Sequence, residues 1–118
     1  NWEDAIKYAD DYIRLVPDYT QAYLIKGNAM MNAGRLSEAV QVFQYILRLD
    51  PNYLDAYYYM ANSYLWIGDN NNALVAIQNF INRAPNNANG FLMAADIYKA
   101  MGNNQAASDM LGRAANLR

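Results

Sequence analysis

Residues 51–84 read PNYLDAYYYMANSYLWIGDNNNALVAIQNFINRA, and the rest of the chain is this stretch in altered copies. Residues 17–50 precede it and residues 85–118 follow it, each block 34 residues long and abutting without insertion. A fixed period of this size marks a stack of like supersecondary units, each burying its apolar face against the next. Residue type fixes the register. Pro17, Pro51 and Pro85 open the blocks. Tyr23, Tyr57 and Phe91 share a column, followed by Gly27, Ala61 and Ala95, and then by Met30, Tyr64 and Tyr98. Gly34, Gly68 and Gly102 fall mid-block, and Ala39, Ala73 and Ala107 come after them. Ala5 belongs to the last column, so residues 1–16 read as the second half of an upstream copy.

The apolar spacing is helical. In residues 1–16, Trp2, Ala5, Ile6, Ala9, Ile13 and Val16 recur at three- and four-residue steps, as one amphipathic helix requires. Pro17 ends it, because proline lacks an N–H and disfavours helical geometry at Val16. First helices are expected over 19–33, 53–67 and 87–101, and second helices over 37–50, 71–84 and 105–117. Asp18 with Gln21, Asn52 with Asp55 and Asn86 with Asn89 are the expected caps of the first helices. The mid-block glycines suit a left-handed residue at a helix C-terminus.

An aromatic residue, a small residue, a second aromatic, a turn glycine, an alanine and a closing proline recur in one register over the whole chain. This pattern resembles the tetratricopeptide repeat. The resemblance implies an all-α solenoid of antiparallel helix hairpins, with about seven helices and a right-handed superhelical course. It also implies first helices lining a concave, protein-binding face. Domain organisation is then one array: a partial repeat at 1–16 and full repeats at 17–50, 51–84 and 85–118. The expectation is a fragment of a longer protein. Three departures from the family pattern stand out. Asn70 and Asn104 replace the bulky Trp2 and Leu36 of their column. Lys26 replaces a usual leucine, its stem expected to pack while its ammonium reaches water. The last helix carries Gly112 and an outer face of Met110, Leu111, Ala114 and Leu117 with no capping helix after it.

Composition narrows the function classes. With 54% apolar residues, 118 residues can pack a core. The 11 acidic and 9 basic side chains are scattered, for a net charge of −2, which gives no basic patch for nucleic acid. No apolar run is long enough to insert directly in a membrane. Cysteine and histidine are absent, so disulfides, zinc sites and a histidine base are excluded. Ser37, Ser63 and Ser108 have no base beside them in the sequence. Asp69-Asn70-Asn71-Asn72 lacks the glycine and closing glutamate of a calcium loop and reads as a polar turn. No catalytic residue, cofactor or metal site is expected.

The informative surface is the expected concave face. Its candidate partner-binding residues are Gln21, Leu24, Asn28 and Met31 in the first full repeat. The second supplies Asp55, Tyr58, Tyr59, Asn62, Leu65 and Trp66, and the third Asn89, Leu92, Asp96 and Lys99. A solvated helix face is mostly polar, and this one is not. Leu24, Leu92 and Tyr59 are also placed to pack between repeats, whereas Tyr58 and Trp66 are expected to stay exposed. Asn28 and Asn62 can clamp a peptide backbone through their amides. Within the family, some domains grip acidic C-termini with a carboxylate clamp. Here Asn28 alone matches it, and Leu24, Tyr59, Asn89 and Met93 stand at the other clamp places. Asp55 and Asp96, opposed by Lys99, point instead to a neutral or mildly basic peptide or helix with apolar anchors. The alternative is a structural spacer or homo-oligomer stacking through exposed repeat ends.

Overall fold

The computed structural model describes residues 1–117. They form seven α-helices: α1 Trp2–Leu15, α2 Thr20–Asn32, α3 Leu36–Leu49, α4 Leu54–Ile67, α5 Asn70–Arg83, α6 Ala88–Ala100 and α7 Asn104–Ala115. The bounds fall within a residue or two of those read from the sequence, the usual uncertainty of a helix end. Each helix packs on the next, giving hairpins α2–α3, α4–α5 and α6–α7, with α1 set against α2. Beyond immediate neighbours, α2 touches α4 and α4 touches α6. Among the described residues no second helix (α1, α3, α5, α7) touches another. The first helices therefore line the inside of the curve and the second helices splay on the outside. The result is an elongated all-α solenoid, 47 × 25 × 22 Å.

The turn inside each hairpin is built on its glycine. Gly68 has φ 95°, in the left-handed region. Its N–H bonds to Leu65 O at 3.1 Å, while Asp69 N–H reaches back to Tyr64 O at 2.9 Å. This Schellman pairing satisfies carbonyls that the helix end leaves free, and it recurs at Gly34 and Gly102.

The connection between hairpins differs from the sequence expectation. The N-caps are Tyr19, Tyr53 and Asn87, each one residue later than predicted. Tyr19 N–H bonds to Val16 O at 3.2 Å, so Pro17 and Asp18 are the central residues of a tight turn. Asp18 is thus consumed by the turn and cannot take the extended cap conformation; Asn52 and Asn86 are displaced in the same way. Of the three caps, Asn87 alone uses its side chain, accepting from Asn89 N–H at 3.0 Å. The aromatic column ties the turn down: Tyr57 Oη donates to Pro51 O at 2.8 Å, and Tyr23 Oη to Pro17 O at 3.2 Å. Phe91 has no hydroxyl to do this, and keeps only the stacked guanidinium, Arg113 at 4.6 Å, that Tyr57 also has in Arg83.

The core is set by size-matched pairs along the stack. Gly27 lies against Phe43, whereas one period on Ala61 shares its cluster with the smaller Ile77. Gly90 lies against Phe80 and Ile81, where one period earlier Ala56 shares a cluster with Ile46. A larger residue on one helix is met by a smaller one on its neighbour, which keeps the interior close-packed. Lys26 is half-buried, as its stem suggested, but its Nζ meets Asp10 of α1 at 2.7 Å and does not simply reach water. Leu111 of α7 and Leu117 just after it are exposed as expected, while Ala114 is buried and so belongs to the core.

Candidate interaction groove

Because the first helices touch along the inside of the curve, their inward residues form one continuous strip from α2 to α6. Two of the fourteen candidates leave that surface. Leu24 and Met31 are buried, 6% and 5% exposed, because α4 packs against the edge of α2 that carries them. They belong to the core beneath the strip. Met31 also holds its neighbour in place, its sulfur accepting from Asn62 Nδ2 at 3.8 Å. Tyr59 is half-buried, stacked on Phe43 at 6.2 Å, as a residue packing between repeats should be. Leu92 is 37% exposed and does not pack between repeats, because the array has no described helix beyond α7 to cover it. Trp66 is 52% exposed, as the sequence suggested. Tyr58 is less free than expected: its ring packs 5.6 Å from Phe80 and edge-on to Tyr59.

Gln21, Asp55, Asn89, Asp96 and Lys99 are exposed, and Asn28, Asn62 and Leu65 are half-buried. Asp55 and Tyr58 open onto a cleft of ≈ 190 Å³ whose other walls are Tyr59, Phe80, Asn87 and Asn89. Phe80 and Asn87 were not foreseen there. Their signal lay in the columns: Asn87 stands where the earlier repeats carry Tyr19 and Tyr53, so a short residue leaves the space open. In the preceding repeat the same column is closed, because Tyr53 Oη donates to Gln21 Oε1 at 2.9 Å. Burial, then the nearby Tyr59 and the Asp96 charge, hold the Tyr58 hydroxyl above its ordinary pKa. It is a neutral donor at physiological pH.

Asn28 has a distinct environment. Its backbone carbonyl accepts from Asn32 Nδ2 at 2.8 Å, but its side-chain Oδ1 is enclosed without a hydrogen-bond partner. Enclosed acceptors are costly to leave unpaired, about 1–3 kcal/mol. Two of the residues considered for chemistry have structural roles. Ser63 is buried and donates to Tyr59 O at 2.9 Å. Asp69 caps α5 through Asn72 N–H at 3.3 Å. Among the described residues no cluster of acidic, histidine or cysteine side chains could hold a metal ion. Among them also, no helix is long and apolar enough to cross a membrane.

The architecture is that of a helix-hairpin repeat scaffold. Tetratricopeptide repeat family models match residues 1–53 and 31–89. The chain belongs to the tetratricopeptide repeat family, and in general terms it is a protein-interaction scaffold. No curated protein sequence matches it. Among solved structures it resembles a crystal structure of MamA, with TM-score 0.89 and 23% identity over 98% of this chain and 68% of that one. MamA from Desulfovibrio magneticus RS-1 is similar, with TM-score 0.88 and 24% identity over 98% of this chain and 66% of that one. At such identities the likeness concerns the fold. The chain spans about two thirds of the length of those solved chains.

Proposed function

We propose that the strip along α2, α4 and α6 binds a peptide or helix of a partner protein through apolar and aromatic contacts. The observation that carries this reading is Trp66, half exposed on the first helix α4. A large aromatic ring left in water on a helix face that its neighbours already frame is a natural anchor, since aromatic residues dominate binding hot spots. Leu92 adds a second exposed apolar contact on α6. Asp55 and Asp96 favour a segment that is neutral or mildly basic. The acidic C-terminus that a carboxylate clamp takes does not suit this strip.

The test is a peptide-library selection on the native chain, counter-selected on Trp66→Ala verified as folded by circular dichroism. Peptides retained by the native chain and lost by the variant support the groove. Enrichment of the same peptides on both sinks it.

A second reading, self-association through the repeat ends, has Leu111 in its favour, exposed to 52% on α7. Leu111→Glu is expected to abolish association of that kind and leave peptide binding intact.

A further inference from the structure

On the outer side of the curve, successive second helices do not touch, and a groove runs between each pair over the first helix beneath. Two of these grooves are bridged by their own side chains. Between α1 and α3, Lys26 of α2 pairs with Asp10 of α1 at 2.7 Å, and the Tyr23 and Tyr45 rings lie 4.9 Å apart. Between α3 and α5, Gln44 Nε2 donates to Tyr64 Oη at 3.3 Å. There Arg83 lies over the Tyr57 ring, and its Nη1 donates to Asn79 O and Oδ1 at 3.2 and 3.1 Å.

The third groove, between α5 and α7 over α6, keeps the residues of such a bridge without the bridge. Gln78 and Tyr98 stand where Gln44 and Tyr64 stand, but among the described residues they do not bond to each other. Arg113 stands in the column of Asn79 and lies 4.6 Å over the Phe91 ring. Its guanidinium has no carboxylate partner among the described residues: Asp109, one turn before it, accepts from Gln105 Nε2 at 3.1 Å instead. A cavity of ≈ 320 Å³ opens here, with Gln78, Asn82 and Arg113 at the rim and Ile81, Ala94 and Met110 below. The groove faces outward whatever follows it. At the second groove, where the hairpin α6–α7 comes next, the matching Gln44 and Arg48 stay exposed.

The chemistry of the lining specifies an occupant. A guanidinium stacked by its face on a ring keeps its N–H edge free, and that edge matches a carboxylate in two parallel hydrogen bonds. The amides of Gln78 and Asn82 add neutral donors beside it. The floor is aliphatic, and the volume exceeds the roughly 150 Å³ that holds a benzene-sized group. We propose that this groove binds an extended acidic segment of a partner protein, with a glutamate or aspartate carboxylate on Arg113 and a neighbouring aliphatic side chain on the floor. The groove lies on the side of the array opposite the α2, α4 and α6 strip and has the opposite charge preference, so it stands or falls independently of that strip.

The probes are two capped peptides, Ac-Ala-Leu-Glu-Leu-Ala-NH2 and its glutamine counterpart, titrated into the chain by NMR. The glutamate peptide is expected to bind at least about tenfold tighter, with shifts at Gln78, Tyr98 and Arg113, and to weaken as salt is added. Arg113→Gln is expected to erase the preference. Gln78→Glu, which sets a like charge at the rim, is expected to abolish binding and keeps the test decisive if Arg113→Gln does not fold. A glutamate peptide with alanine for both leucines is expected to bind more weakly, and Trp66→Ala to change nothing. Equal binding of the glutamate and glutamine peptides, binding of neither, or a preference that survives Arg113→Gln overturns the proposal. So does undiminished binding of the alanine version, or loss of binding in Trp66→Ala, which would move the peptide to the inner strip. Shifts at the groove on raising the protein concentration alone, with a dimer in light scattering, would overturn it in favour of a second copy.

Discussion

Gly27 and Phe43 are in contact so close that a methyl group on Gly27 would stand 2.5 Å from Phe43 Cε1. Glycine here is a packing requirement, not a turn requirement. Gly27→Ala is expected to destabilise the fold by about 1–3 kcal/mol, the usual cost of overpacking. Adding Phe43→Ile recreates the Ala61 and Ile77 pair of the next repeat and is expected to recover a good part of that loss. Urea unfolding of the single and double variants measures the coupling; strictly additive effects would contradict size matching.

Gly68 and Gly112 both have open space around a would-be Cβ, yet substitution at the two has opposite consequences. Gly68 sits at φ 95°, so Gly68→Ala is expected to cost about 1–2 kcal/mol from backbone strain alone. Gly112 is inside α7, where alanine is favoured by about 1 kcal/mol. Gly112→Ala is therefore expected to raise the Tm. Thermal unfolding followed by circular dichroism checks both signs.

Burial, foremost, raises the pKa of Tyr23, Tyr53 and Tyr58 above the ordinary 10.0. In the unfolded chain these phenols ionise first. Their contribution to stability is complete below pH 10 and is lost as pH climbs through the higher folded values. Urea midpoints are expected to be level through neutral pH and to fall above pH 10. Tyr58→Phe is expected to soften that fall, and an unchanged alkaline slope would show that another group controls it.

Lys26 and Asp10 join α2 to α1 by an ion pair that is partly open to water. Exposed pairs of this kind are worth about 0–1 kcal/mol. Met60 occupies the column of Lys26 one repeat later. Lys26→Met is expected to change stability by less than about 1 kcal/mol and to make it less sensitive to added salt, as unfolding titrations at two ionic strengths would show.

The fold was legible because its signals were repeated. The opening proline, the first aromatic and the mid-block glycine appear in every full block, so the period and the hairpins followed from residue type, while the inner face came from the family resemblance. What escaped was set by contact between helices. Asp18 looks like a cap until the turn through Pro17 claims it. Gly90 carries no signal by itself, and its place opposite Phe80 emerges from comparing Ala56 and Ile46 with it one period apart. The exposure of Trp66 was legible because its column, Asn32 and Ala100 in the other repeats, is left uncovered. Leu24 is buried, as its expected packing between repeats allowed, but the burial of Met31 was not foreseen, because helical periodicity locates a face but not the depth at which the next helix covers it.

The first helices meet along the concave side while the second helices stand apart on the other, and this gives the molecule the mechanics of a folding fan. The inner helices are its rivet line, where spacing is fixed. The outer ones are its ribs, apart from one another but each packed on the first helix of the next blade. Curvature is then set blade by blade, and small rotations at each joint sum along the array. A guest lying along the rivet line would meet not only Trp66 and its neighbours but the opening angle of the whole array, and a grip at one end of the fan would be felt at the other as a change of pitch.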